Sequence, residues 1–286
     1  MALRQAPAKA PRIELQPRDL DILAAVFHHR FLQPAHVHAL LGGGYERLTK
    51  RLRLLWQAGY LDRPRTQGAR GILTEEVVYG LGKAGARLLQ EHDPDLKIGH
   101  LDWHDRPGKP VTYPYIDHQL GIATFMVALE RACEGSPLRV EWPGHYERSR
   151  YKIPVPGENR RFHPDAYFRL VREDDKIAHH FLEVMRSRRT LDGMRAKYET
   201  YFRWWRGAMD RRPFRHFRVI TVAPNAAFMA SLRKAARPIG QTADHPRSWS
   251  ALLFTHFEAF SLEKPEGILE PIFRSADDPI PVALAP

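Results

Sequence analysis

Over the first ninety residues the apolar positions recur with a helical period. From Pro17, the residues Leu20, Leu23, Ala24 and Phe27 repeat at i, i+3, i+4 and i+7, which predicts a helix opened by proline and buried along those four side chains. A second helix is expected from Pro34, carrying Val37, Leu40 and Leu41 up to the break at Gly42-Gly43-Gly44. The third, over 45–58, gathers Leu48, Leu52, Leu55 and Trp56 into one stripe. Glu46, Lys50, Arg53 and Gln57 point the opposite way, with Arg47 and Thr49 on the flanks. The pattern then changes: 60–63 and 76–81 read as short strands around the polar tip PRTQGARG, and 83–90 reads as a short helix after Gly82.

Three helices followed by a two-stranded ribbon predict a winged helix-turn-helix, whose third helix enters the major groove while the wing touches the DNA backbone. The same fold also serves to dock proteins. The face of 45–58 opposite the apolar stripe is basic, where a docking face is usually depleted in lysine, and this favours DNA. No Gly-Lys-Ser/Thr follows Gly44, so the glycine run is read as a turn before the third helix and not as a phosphate loop.

The segment 92–114, HDPDLKIGHLDWHDRPGKPVTYP, has no period and many breakers, and reads as a linker. After it come a helix at 115–134, a strand at 138–146, and two apolar runs at 162–171 and 178–185 joined by the charged turn 172–176. A helix at 190–207, a strand at 216–222, a helix at 225–236 and strands at 252–257 and 268–273 complete the order. The expected fold is mixed α/β, organised as an arm (1–14), a winged helix-turn-helix (15–92), a linker (93–113) and an α/β domain (114–286). In the helix 190–207, Leu191, Met194, Tyr198, Tyr201, Phe202 and Trp205 form a core stripe. Trp204 falls on the other side near Lys197, either as a partly covered ring or as a base-stacking one.

A chain of 286 residues, 43% hydrophobic, has enough material for two folded domains. No apolar run reaches the roughly 18 residues needed to span a membrane, and MALRQAPAKAPR lacks the apolar core of a secretory signal. One cysteine, Cys133, excludes an internal disulfide and a multi-cysteine zinc site. A cytoplasmic protein is expected. The charge is the strongest compositional feature: 44 Lys and Arg against 33 Asp and Glu give +11, a balance suited to a polyanion. It concentrates in two stretches. Between Arg47 and Arg70 stand Arg47, Lys50, Arg51, Arg53, Arg63, Arg65 and Arg70 against Asp62, and a second cluster runs from Arg186 to Arg215. Arg47, Thr49, Lys50, Arg53, Arg63, Arg65 and Arg70 are the expected DNA contacts of the first, and Arg186, Arg188 and Arg189 of the second.

Candidate chemistry comes down to two acids. If 162–171 and 178–185 form a hairpin, Asp165 shares a strand face with Tyr167 and Arg169, and Glu183 shares one with Phe181 and Met185. In the matching register the two carboxylates lie side by side, which is costly inside a sheet unless they bind a cation or protons. The bland alternative is an ordinary hairpin with two solvated acids. His36 and His38 point to different sides of a helix and His179 and His180 to different sides of a strand, so neither pair is set to chelate. No nucleophile elbow, cofactor loop or zinc spacing is present.

The Pro-Asp on one strand and the Glu on the next resemble the PD-(D/E)XK nuclease superfamily. That resemblance implies a restriction-endonuclease-like α/β fold in which Asp165 and Glu183 would hold Mg²⁺ and a lysine would stand two residues after the Glu. Here Met185 occupies that place, so the expected state is a degenerate site with no cofactor. The rival is an active metal-dependent endonuclease in which Arg186 or Lys197 replaces the missing lysine. Arg186 points to the opposite strand face and Lys197 lies off its helix's apolar stripe, so each is expected to reach the acids only through a bulge or a long extension.

Taken with the basic YLDR wing, the segments YGLGKAGARLL, DHQLGIA, HPDAYF, FLEVMRSRRT, KYETYFRWW and FRVITVAPN make the chain similar to the bacterial replication-relaxation family over 15–273. That family usually carries an acid two residues after the Glu; Glu183-Val184-Met185-Arg186-Ser187 keeps the Glu and Arg and has Met185 in its place. The resemblance implies a double-stranded DNA-binding protein of a plasmid or mobile element, serving replication, mobilisation or transcription control. A homodimer, or a complex with a replication, relaxase or transcription protein, is the further partner expected, and the lack of a long apolar run implies no membrane. A docking scaffold for such a complex is the third class of function consistent with the pattern.

Overall fold

A computed structural model describes residues 11–64, 77–96, 98, 111–145, 152–154, 161–186, 191–207, 216–242, 251–278 and 280–284. The chain is mixed α/β, with seven α-helices and eleven strands among the described residues. It divides into two compact units, Met1–Val127 and Ala128–Pro286.

The first unit contains α1 (Pro17–His29), α2 (Pro34–Leu41), α3 (Tyr45–Gln57), β1 (Leu61–Asp62), β2 (Gly80–Leu81), α4 (Lys83–His92) and most of α5 (Tyr113–Cys133). α1 packs on α2, α4 and β2, α2 on α3, and α3 on β1. β1 and β2 are antiparallel with Leu61 opposite Leu81. Leu32, in the connection between α1 and α2, exchanges both backbone hydrogen bonds with Tyr79, at 3.0 and 2.8 Å, adding a third piece of extended chain to the ribbon. The expected strand 76–81 is thus only Gly80–Leu81 plus the bridge at Tyr79, and 65–76, which includes most of the wing tip, lies outside the described residues.

The face that α1 buries is not the one its apolar spacing predicts. Ile22, Leu23 and Val26 are buried together with Asp19 and His29, whereas Leu20 and Phe27 are half-buried and Ala24 is exposed. The reason is Asp19, only 1% exposed, which a hydrophobic template scores as surface. Its carboxylate accepts the Gln16 amide at 2.8 Å, closing the helix N-terminus, and accepts Arg51 of α3 through both oxygens, Nε at 2.8 Å to Oδ1. Arg51 also donates to the Glu14 carbonyl at 2.7 Å.

Gly82 and Gly85 explain the spacing in YGLGKAGARLL by close approach. A Cβ on Gly82 would lie 2.3 Å from the Gly59 carbonyl oxygen, and one on Gly85 would lie 2.2 Å from that of Tyr60. The start of α4 therefore rests directly on the turn after α3.

The second unit is built on a seven-stranded mixed sheet in the order β11-β10-β9-β8-β7-β6-β3. Its strands are β3 (Leu138–Glu141), β6 (Ala166–Arg172), β7 (Ile177–Val184), β8 (Arg218–Ala223), β9 (Leu252–His256), β10 (Phe273–Ser275) and β11 (Pro281–Val282). β4 (Ile153–Pro154) and β5 (Arg161–Phe162) pair separately. β6 and β7 form the expected antiparallel hairpin, its turn closed by Asp175 N to Arg172 O at 3.0 Å with Asp175 at φ 56°. β7, β8 and β9 run parallel, connected through α6 (Leu191–Gly207) and α7 (Ala226–Thr242).

Several boundaries differ from the sequence reading. Phe162 belongs to β5 rather than to the hairpin strand, because the chain leaves extended pairing at His163-Pro164. β3 stops at Glu141, before Trp142-Pro143-Gly144, where proline has no N–H to offer the ladder. α7 continues past Ala236 through Pro238, whose missing N–H costs one internal hydrogen bond without ending the helix. The strand expected at 268–273 is a 3-10 turn, Pro265–Leu269, followed by β10. Pro265, Gly267 and Pro271 break the extension that apolar content alone suggests.

Candidate functional site

Two places collect the residues that carry chemistry, one in each unit. In the first, α3 buries Leu48, Leu52, Leu55 and Trp56 as its spacing predicts, and this fixes which side faces outward. Arg47, Lys50 and Arg53 are exposed together with Glu46 and Leu54, and Leu54 remains 39% exposed. Arg47, Lys50 and Leu54 line an open cleft with Gln16 and Arg18 at the start of α1 and Gly43 and Gly44 at the start of α3. Gly42 and Gly43 adopt φ values of 66° and 84°, so the turn delivering α3 depends on glycine geometry. Arg18 donates to the Leu41 carbonyl at 3.2 Å and to that of Gly42, tying this turn to α1.

The other expected DNA contacts of this unit have different surroundings. Thr49 is half-buried and donates its hydroxyl to the Tyr45 carbonyl at 2.9 Å. Arg63 lies 3.9 Å over the Trp56 ring and 4.9 Å over Tyr79, and donates to the Tyr79 hydroxyl at 2.7 Å, so its guanidinium is part of the packing between α3 and the ribbon. Burial raises the Tyr79 hydroxyl above its ordinary pKa, with the Arg63 charge opposing, so Tyr79 stays protonated as Arg63 bonds it. Arg65 and Arg70 lie outside the described residues.

In the second unit the hairpin register sets the acids side by side. Ala166 pairs with Leu182, and continuing the ladder one step puts Asp165 opposite Glu183. The Asp165 amide donates to the Leu182 carbonyl at 3.0 Å, and Asp165 Oδ2 accepts the Val184 amide at 2.8 Å, fixing its carboxylate at the strand end. Across the parallel pairs, Glu183 stands beside Thr221 and Thr221 beside Phe254, one row over three strands. α6 and α7 cover this face: Phe181, Val219, Phe254, Met194, Tyr198, Tyr201, Leu232 and Met185 belong to one apolar cluster.

Glu183 is 1% exposed and held by two α6 side chains. Tyr201 donates to Oε1 at 2.6 Å, and the Lys197 ammonium pairs with Oε2. Burial pushes the Glu183 carboxyl up to about 7; the Lys197 charge pulls it down and the nearby Asp165 charge pushes it up. Burial, followed by the Glu183 charge, raises the Tyr201 hydroxyl well above its ordinary range, so it stays a donor. Tyr198 bonds Thr221 at 2.8 Å beneath this group.

Of the two routes expected for Lys197, a bulge or a long extension, the structure takes the extension. Lys197 reaches Glu183 without any bulge, because Lys197 and Tyr201 are four residues apart on a helix lying across the sheet, and a long lysine stem extends from the edge of the apolar stripe. The signal was in the sequence: the i, i+4 pairing of Lys197 with Tyr201 matters more than the angle from the stripe's centre. Met185 is 2% exposed inside the apolar cluster, so no charge arrives from the strand position.

Among the described residues of the basic stretch that begins at Arg186, Arg195, Arg203 and Arg206 are exposed on α6, and others are engaged within the unit. Arg186 lies 4.7 Å over the Phe257 ring, Arg195 pairs with Glu199 at 3.3 Å, and Lys197 is at Glu183. Arg188 and Arg189 lie outside the described residues. Trp204 is half-buried, with its ring centroid 6.0 Å from Phe181 and 5.9 Å from Phe217, and packs against the core cluster.

Comparison with known families adds one finding. The replication-relaxation family matches residues 23–220, more than half of the chain, including α3, Asp165, Glu183 and Lys197. The chain belongs to this family. Membership associates it with replication or mobilisation of plasmids and other mobile elements, and with DNA and replication proteins as partners. No curated protein and no solved structure matches it. Among the described residues, no helix of this replication-relaxation protein is long and apolar enough to cross a membrane.

Proposed function

We propose that the protein binds double-stranded DNA in the replication or mobilisation of a plasmid or other mobile element, with α3 as the reading helix of a winged helix-turn-helix. The observation that carries this is the sidedness of α3: Leu48, Leu52, Leu55 and Trp56 are buried, while Arg47, Lys50 and Arg53 are exposed on one outward surface. The bridge of Leu32 to Tyr79 beside β1 and β2 gives the helix–bridge–helix–helix–ribbon order of a winged helix. In such a module, arginine and lysine at the outward face of the third helix meet phosphates and guanine edges at the major groove.

In this reading the second unit is a nuclease-like scaffold that contributes a dimer or backbone-binding platform. The test is fluorescence anisotropy with a labelled duplex over a salt series, comparing the native protein with Lys50→Ala and Arg53→Ala. Each substitution should weaken binding and reduce the salt slope by about one per phosphate contact removed. Unchanged affinity and slope in both variants would reject α3 as the contact surface.

A further inference from the structure

The resemblance to metal-dependent nucleases implies a divalent ion at Asp165 and Glu183, and the groups present do not fit one. Mg²⁺ holds several waters and takes its protein oxygens at short, fixed distances. Glu183 is 1% exposed with Oε1 accepting Tyr201 and Oε2 accepting Lys197, and Asp165 Oδ2 accepts the Val184 amide. Among the described residues, no third acid, histidine or cysteine joins this pair in ligand range. An incoming ion meets a protein cation already on the carboxylate it needs.

We infer that Lys197 is the resident cation of this site, a tethered ammonium that α6 lays on Glu183 in place of a metal. Two acids on adjacent strands of a buried sheet are costly unless they meet a cation or protons. Met185, packed among Met194 and Tyr198, denies it from the strand. α6 crosses the same face with Lys197 and Tyr201 one turn apart, and both end on the one carboxylate. The Lys197 side chain is 15% exposed, so its charge acts where water screens it little. The acids and lysine then anchor α6 to β7 and perform no metal chemistry. The inference does not depend on DNA binding by α3, and either can fail alone.

The experiment measures Mn²⁺ binding to the full-length protein by the electron paramagnetic resonance signal of free Mn²⁺, with Mg²⁺ calorimetry alongside, at pH 7.5. The wild-type protein should show no saturable site that depends on Asp165. Lys197→Ala, which removes the ammonium and opens space, should gain one, and Lys197→Ala/Asp165→Asn should lose it again. Lys197→Met, which removes charge but fills the space, should gain none. Saturable binding by the wild type, abolished in Asp165→Asn, overturns the inference and places metal and lysine together as a nuclease requires. Plasmid cutting by the wild type with Mn²⁺ that disappears in both Asp165→Ala and Glu183→Ala does the same. A folded Lys197→Ala protein that binds no metal also overturns it. The wild-type measurement needs no variant, so the inference remains refutable even where Lys197→Ala does not fold.

Discussion

The carboxyl of Glu183 should make the stability of the second unit depend on pH in an unusual direction, and Glu183→Gln should remove that dependence. Burial raises this group from an ordinary 4.5 to about 7. The folded protein therefore retains a proton that the unfolded chain releases across this window. The contribution is fully present below 4.5, declines as pH rises, and is gone above about 7. Each pH unit carries about 1.4 kcal/mol, so the window from 4.5 to 7 amounts to roughly 3 kcal/mol. Ordinary surface carboxylates paired with cations act with the opposite sign. Glutamine keeps the shape and an acceptor for Tyr201 but cannot titrate. Urea unfolding of the wild type and Glu183→Gln from pH 4.5 to 8 isolates the effect as a difference of differences, cancelling the titrating groups that do not interact with Glu183. The wild type should lose about 3 kcal/mol relative to the variant across this range, mostly between pH 5 and 7. Parallel stability profiles would refute the reasoning and show Glu183 ionised throughout, held by Lys197 strongly enough to cancel its burial.

Other outcomes follow from the packing. Arg51→Met leaves the buried Asp19 carboxylate without its main partner and should cost about 3 kcal/mol in urea unfolding, part of which Arg51→Met/Asp19→Asn recovers; a loss below about 1 kcal/mol would show the pair to be dispensable. Arg63→Ala removes the stack on Trp56 and the bond to Tyr79 and should lower stability by about 1–2 kcal/mol, whereas Arg53→Ala leaves it unchanged; equal thermal midpoints would return Arg63 to the surface. Gly85→Ala forces a methyl toward the Tyr60 carbonyl and should cost about 1–3 kcal/mol, read as a drop in thermal midpoint.

The sequence was most legible where one physical demand acts alone. α3 is read correctly to within one residue because its apolar stripe has nothing to compete with, and the strand faces of Asp165 and Glu183 follow from two-residue alternation. It was least legible where a charge is buried. Asp19 and Arg51 rotate the buried face of α1, and Arg63, counted as a surface cation, stacks on Trp56. For Lys197 the helical-wheel angle left a bulge and a long extension both open, and the lysine stem spans the distance by extension. For Arg51 and Arg63 a long cation folds back onto a partner in another element, and no local pattern encodes the pairing, whereas for Lys197 the i, i+4 spacing with Tyr201 carried the signal. β5 and the turn 265–269 were missed for another reason: apolar content was taken for extension across prolines.

DNA recognition by this protein is assigned to the outward face of α3. One measurement tests it: anisotropy titrations of a duplex with the native protein and with Arg47→Ala/Lys50→Ala/Arg53→Ala, over a salt series. The three side chains are exposed and outside the buried stripe, so the variant should retain the native circular dichroism and thermal midpoint. If α3 reads DNA, the slope of log affinity against log salt should flatten by about two to three, and binding at physiological salt should fall at least tenfold. A folded variant that binds with native affinity and slope would contradict the account.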